Sequence, residues 1–176
     1  MKRLYYLADT IDAAERVSDR LHEEGITDWN FHVLGQDKAQ IVRHHLHSTT
    51  PLQELDIIRS GERGVLIGLT IGLLLTGYIA LTSSVGAQLN WMGQVASIIL
   101  FGLFGAWVGG LVGVSTENYK IQRFHQDIEN GRYLLLIDVN RSQKSDVEGV
   151  LADFSHITKA GEDTTFINPF AKVVAR

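Results

Sequence analysis

The segment Arg43-His44-His45-Leu46-His47 places three histidines within four residues. Imidazole is the commonest metal ligand and the one side chain whose ordinary charge change falls near neutral pH. If this segment is helical, His44 and His47 stand three apart on one face, with His45 beside them. Such a pair can grip a divalent transition metal through neutral ring nitrogens. Two ligands do not complete a site. No carboxylate falls at matching spacing, so completion requires Glu54 or Asp56 to fold back, or His125 to arrive from later in the chain or from a neighbouring subunit. The competing reading has no cofactor: a polar connector whose histidines titrate or meet lipid headgroups. His22 and His32 read as surface or sheet-edge residues.

Other chemistries lack their residues. Without cysteine there is no disulfide, thiolate metal site or thiol nucleophile. No nucleophile elbow, phosphate loop or paired-carboxylate pattern occurs. The stretch LFGLFGAWVGGLVGV, residues 100–114, holds five glycines but no G-x-G-x-x-G, and no βαβ pattern surrounds it. The sequence therefore motivates no enzyme. A net charge of −4 without a basic stripe also argues against nucleic acid as a partner.

The elements that must position the histidines are set by an uneven charge distribution. Residues 64–116 contain no Asp, Glu, Lys or Arg. Two apolar segments lie inside this window, 64–83 and 92–114, each near the ~20 residues that cross a hydrocarbon core. Together they predict a transmembrane hairpin in contact with the lipid bilayer. Residues 84–91 form its external connector, with Gly86 and Asn90 as turn formers and Trp91 at an aromatic-belt position. Gly64, Gly68 and Gly72 recur every four residues in the first helix, as do Gly105, Gly109 and Gly113 in the second. Each set makes a side-chain-free stripe that lets helix backbones approach closely, within the hairpin or between subunits. Arg59 and Arg63 precede the hairpin, Lys120 and Arg123 follow it, and the connector has no positive residue. The positive-inside rule puts both termini in the cytoplasm. The opening MKRLYYLADTIDAAER soon turns acidic and does not read as a secretory signal.

The two flanking arms repeat one another. Residues 1–48 read as strand (RLYYLA), helix (11–24, capped by Asp9 or Thr10 and stopped by Gly25) and strand (TDWNFHVLG, with Trp29, Phe31 and Val33 alternating). Residues 131–163 read as strand (RYLLLIDV), helix (142–154) and strand (156–160). A shift of 130 residues lays Leu4 and Tyr6 on Leu134 and Leu136, and Val17 and Leu21 on Val147 and Leu151. The expected fold is an α+β membrane protein: a split ferredoxin-like domain, βαβ plus βαβ, with the hairpin inserted at its midpoint. Two independent small arms are the alternative. Juxtamembrane helices are expected at 49–63, started by Thr50-Pro51, and at 115–130, where Val114, Ile121, Phe124 and Ile128 recur at heptad-like spacing. The tail, 164–176, carries Phe166, Ile167, Phe170, Val173 and Val174 and is expected to dock on the domain or on a neighbour.

In this layout the chain resembles the small bacterial inner-membrane glycine-zipper proteins of unknown function, related in arrangement to heat-induced stress proteins. The resemblance rests on the order strand–helix–strand, glycine-striped hairpin, strand–helix–strand. It implies an inner-membrane location and a stress or regulatory role, and it carries over no active-site residue. Three functions stay open: a non-enzymatic homo-oligomer with a cytosolic sensing or assembly domain, a passive channel or small-solute transporter lined by Thr70, Thr76, Gln94 and Ser97, and a metal- or pH-responsive regulator built on the histidines. The absence of any ionisable residue within the window counts against a proton- or ion-coupled pump.

Overall fold

A computed structural model describes residues 1–82 and 90–165. The elements in chain order are β1 (Lys2–Ala8), α1 (Ile11–Glu23), β2 (Phe31–Leu34), α2 (Lys38–Arg43), α3 (Pro51–Glu54), α4 (Ile57–Thr82), α5 (Trp91–Val114), a 3₁₀ turn (Gln122–Phe124), α6 (His125–Glu129), β3 (Tyr133–Val139), α7 (Lys144–Ala152) and β4 (Ile157–Thr164). They form two compact units, one from residues 1–50 and 121–165, the other from Pro51–Lys120. Residues 84–89 of the expected connector and 166–176 of the expected tail lie outside the described residues.

The first unit is mixed α+β, built on a four-stranded antiparallel sheet in the order β2-β3-β1-β4. The central places fall to the two strands that are apolar on both faces. In β1, Leu4, Tyr6 and Ala8 face α1 and α7, packing with Val17, Leu21, Val147 and Leu151, while Tyr5 and Leu7 face the other way. In β3, Leu135, Ile137 and Val139 join the helix side, and Leu134 and Leu136 the opposite side. Strands covered on both faces read as continuous apolar runs, and YLLLIDV is such a run. β4, ITKAGEDT, is polar and takes an edge. Thr10 caps α1 by accepting from the Ala13 amide at 3.2 Å. Gly25 and Gly131 follow their helices at φ +83° and +84°, a left-handed conformation that costs glycine no Cβ clash.

Two expectations need correction here. Trp29 is not in the second strand: residues 27–30 turn, with the Asn30 amide donating to the Thr27 carbonyl, and the ring is 88% exposed. The strand begins at Phe31. Residues 115–130 are not one juxtamembrane helix, since α5 stops at Val114 and only the 3₁₀ turn and α6 follow. Ile121, Phe124 and Ile128 instead pack on Tyr5, Leu7, Leu134 and Leu136, closing the second face of the sheet. Their heptad-like spacing served a sheet cover, because an exposed apolar sheet face offers more burial than a lone helix pair.

The second unit is dominated by α4 and α5, both long and apolar enough to cross a membrane. At 26 and 24 residues they extend about 39 and 36 Å. The expected entry helix at 49–63 is broken: α3 is one turn, and α4 starts anew at Ile57 and continues to Thr82. The two stripes of glycine lie against each other within the hairpin. A Cβ on Gly64 would strike the Gly105 carbonyl and sit 3.1 Å from the Gly109 Cα. Gly68 meets the Phe101 carbonyl and Gly102 Cα, Gly72 lies against Ile98 and Phe101, and Gly113 lies against Asp56 and Ile57. Gly77 and Gly110 face open space.

Substitution at these positions should therefore divide in two. Gly64→Ala and Gly109→Ala are expected to destabilise the full chain in detergent by roughly 1–3 kcal/mol through overpacking. Gly77→Ala and Gly110→Ala should be neutral or gain up to about 1 kcal/mol from helix propensity. Thermal unfolding of the four variants checks this; equal effects at all four positions would refute the packing argument.

Candidate functional site

The histidine segment is shaped by two helix ends. Asp37 caps α2, accepting from the Ala39 and Gln40 amides at 2.9 and 3.2 Å. The helix closes at Arg43, with His44 as its C-cap. His45 then takes φ +55°, which ends the helical path. Leu46 is buried and pins the segment. Beyond it, Val33 donates to the His47 carbonyl at 2.8 Å, so residues 47–49 run beside β2.

This geometry separates the three rings. His44 Nδ1 lies 2.7 Å from Glu15 Oε2 and 3.9 Å from Asp12 Oδ1. His47 Nδ1 lies 3.2 Å from Asp28 Oδ1, which also sits 2.8 Å from His22 Nε2. His45 is exposed to solvent. The expected shared face of His44 and His47 does not form, because the left-handed residue between them breaks the helix. The proposed auxiliary ligands are also used elsewhere: Asp56 lies 3.4 Å from Arg59 Nη1, and His125 lies 3.2 Å from Glu129.

What the structure assembles in their place is Asp12, Glu15 and His44, with one ligand atom each and all three within 4.8 Å of one another. Asp12 and Glu15 stand three apart in the first turns of α1, a position that Thr10 fixes by starting the helix. Two carboxylate oxygens and one imidazole nitrogen form a hard-to-borderline donor set suited to a divalent cation, with water completing the shell. The same contacts also suit an imidazolium held by two carboxylates. The available sequence signal was the pair of acids at i and i+3 after a threonine cap.

A second polar cluster was missed entirely. Arg3 and Asp138 are cross-strand partners on β1 and β3, joined by two bonds of 2.7 and 2.6 Å. Burial opposes the Arg3 charge, but Asp138 more than restores it and holds its pKa above the usual value. On the same side of the sheet, burial pushes the Tyr5 phenol up to about 12. The Arg123 guanidinium lies 4.9 Å from the Tyr5 ring centre and 4.7 Å from that of Phe124. Burial, followed by the Arg3 charge, lowers the pKa of His32, with His47 acting the same way and Asp138 and Asp28 opposing.

The other boundary residues fall within the second unit. Arg59 is 4% exposed, lies next to Asp56 and stacks 4.2 Å from the Tyr119 ring centre. Burial, resisted by Arg59 and Arg63, raises the Asp56 pKa. Lys120 is also buried, 5.8 Å from the Tyr119 ring centre. Arg63 and Trp91 are exposed, and Asn90 caps α5 just ahead of Trp91 by accepting from the Gly93 amide at 2.9 Å. The chain ends that enter and leave this unit are tied together: Asn118 donates to the Glu54 and Gln53 carbonyls at 2.7 and 2.9 Å, and Asp56 to that of Thr116 at 2.9 Å.

Compared with known protein families and with curated proteins, the chain matches none of them in sequence.

The His32 shift has a defined sign. Below about pH 6.5 an unfolded histidine takes up a proton that native His32 resists, so stability falls as pH falls through that range. His32→Gln should lose less stability than the parent chain between neutral and mildly acidic pH. Superimposable pH profiles of the thermal midpoint would show that His32 does not contribute.

Proposed function

We propose that this chain is a non-enzymatic, oligomeric protein of the bacterial inner membrane, with both termini cytoplasmic and a cytosolic domain that senses or assembles. The observation that carries this reading is the inverted build of the hairpin. Its interior contact is glycine backbone, while Leu73, Leu74, Leu81, Leu100, Phe104 and Trp107 face outward. Exposed apolar surface of this extent is satisfied by lipid or by neighbouring subunits. The strand order β2-β3-β1-β4, with α1 and α7 on one face, supports a split ferredoxin-like domain carrying the hairpin as an insertion. The layout keeps the resemblance to glycine-zipper and heat-induced stress proteins as the source of the regulatory role.

One pair of hydroxyls favours this reading over a passive pore. Thr76 Oγ1 and Ser97 Oγ are 3.2 Å apart between the two helices, with Thr76 buried. Groups paired with each other inside a hairpin are poor lining for a water-filled path.

The full chain should stay with membranes through alkaline extraction, form multimers in mild detergent by native mass spectrometry, and give no solute flux above empty vesicles. Release into the supernatant would refute the membrane reading. Monomers alone would remove the oligomer, and flux would establish the pore.

A second reading rests on Asp12, Glu15 and His44: the sensed species is a divalent metal. Calorimetric titration with Zn²⁺ should then show binding that weakens at least about tenfold in a His44→Ala, Glu15→Gln variant, since second-sphere losses alone reach that size. His47→Ala should leave it unchanged. Equal affinity in the double variant would retire the metal.

A further inference from the structure

A small cavity lies between α7 and the edge strand β4, wholly within the first unit. Its volume is about 230 Å³, below the range of sites that take drug-sized molecules. Glu148, Leu151 and Ala152 line it from α7, where the i, i+3, i+4 spacing puts them on one face. Ile157 and Lys159 line it from β4, two residues apart and so on one side of the strand. Tyr6 stands opposite Lys159 in the register of β1 with β4 and completes the lining. Lys159 Nζ and Glu148 Oε1 pair at 2.8 Å. Tyr6 is the anomaly. It is only 5% exposed, yet its phenol makes no side-chain hydrogen bond among the described residues. A buried hydroxyl without a partner is costly. Burial, and next to it Glu148, pushes the phenol up to about 12 against the opposing charge of Lys144, so it stays a neutral donor.

We propose that this cavity binds a free α-amino acid with a small aliphatic side chain. Its carboxylate takes the Lys159 ammonium and the Tyr6 hydroxyl, its ammonium takes Glu148, and its side chain lies on Leu151, Ala152 and Ile157. A zwitterion fits because the cavity offers both signs of charge. A plain carboxylate would gain Lys159 but meet Glu148, and a plain amine would face the reverse. The ion pair that has to part is partly exposed, and such pairs are weak. Each charge then exchanges one partner for another. Lys144 stays 3.6 Å from Glu148, and Glu162 stays 3.7 Å from Lys159, so both side chains keep a neighbour that holds them in place. The phenol gains the acceptor it lacks. The site is separate from Asp12, Glu15 and His44, and it depends on neither the membrane nor the oligomer reading.

The test is calorimetric titration of the full chain in mild detergent with L-valine, 3-methylbutanoate and isobutylamine. The last two are valine without its ammonium and without its carboxylate. Valine should bind at least about tenfold more tightly than either, since each lacks one charge-assisted contact. Tyr6→Phe keeps the ring in the core and should weaken valine about fivefold. Glu148→Gln should remove the advantage of valine over 3-methylbutanoate, a change that loss of packing alone would not produce. Ala152→Leu, which fills the cavity from an exposed helix position, should abolish binding, and Arg43→Gln on α2 should leave it intact. Thermal midpoints without ligand separate a lost site from a lost fold, and Glu148→Gln decides the matter where the core substitution costs stability. The inference is overturned by a parent chain without saturable valine binding, by equal binding of the three compounds, by an unchanged preference in Glu148→Gln, or by full affinity in Ala152→Leu. Any of these leaves the membrane-bound oligomer standing, because alkaline extraction and native mass spectrometry read that separately.

Discussion

A helix pair clothed all round in leucine, isoleucine, valine and phenylalanine has no cheap way to choose a contact face. Apolar burial is nearly the same in every direction, and only shape distinguishes one register from another. Glycine supplies that shape. Where Gly64 meets Gly105 and Gly109, and Gly68 meets Phe101 and Gly102, backbone reaches backbone at a distance that no other residue permits. The dispersion contacts of such an approach are individually small but numerous. Side chains of any size at these positions push the axes apart and cost the whole contact. The entropy that glycine loses in a helix is thus offset by a register that leucines alone would leave undecided.

That register extends beyond the apolar window. Gly113 against Asp56 and Ile57 places the start of α4 beside the end of α5. Leu55 and Glu117 are then close enough to bridge, and Asn118 reaches back to two carbonyls of the entering segment. Buried there, Asp56 and Arg59 need each other, because either charge alone would be expensive in a site shut off from water. The stacking of Arg59 on Tyr119 adds a contact that accepts a cation without a second carboxylate.

Patterns with strong periodicity could be read in advance, and patterns that depend on a distant partner could not. The paired apolar runs of β1 and β3, the caps of α1 and the two apolar helices follow from local rules of composition and spacing. The failures share one cause. Residues 115–130 have helical periodicity, but Ile121 and Phe124 find more to bury beneath the sheet than beside another helix. His44, His45 and His47 are adjacent in sequence, and adjacency suggested one site; a single left-handed residue sends them to different carboxylates. Arg3 and Asp138 look like ordinary surface charges until the strand register sets them opposite one another. Nothing local marks a pair separated by most of the chain.

The pairing of β1 with β3 also imposes an order of events during synthesis. Lys2 lies opposite Val139 and Ala8 opposite Tyr133, so the first strand made has no neighbour in the sheet's centre until the ribosome has passed the whole hairpin. At typical elongation rates that interval is on the order of ten seconds. Throughout it, a strand apolar on both faces must be shielded by something other than its final partner. The amino-terminal arm therefore completes its fold only after α4 and α5 have been made, which gives a nascent chain stalled in the hairpin no finished sheet to release.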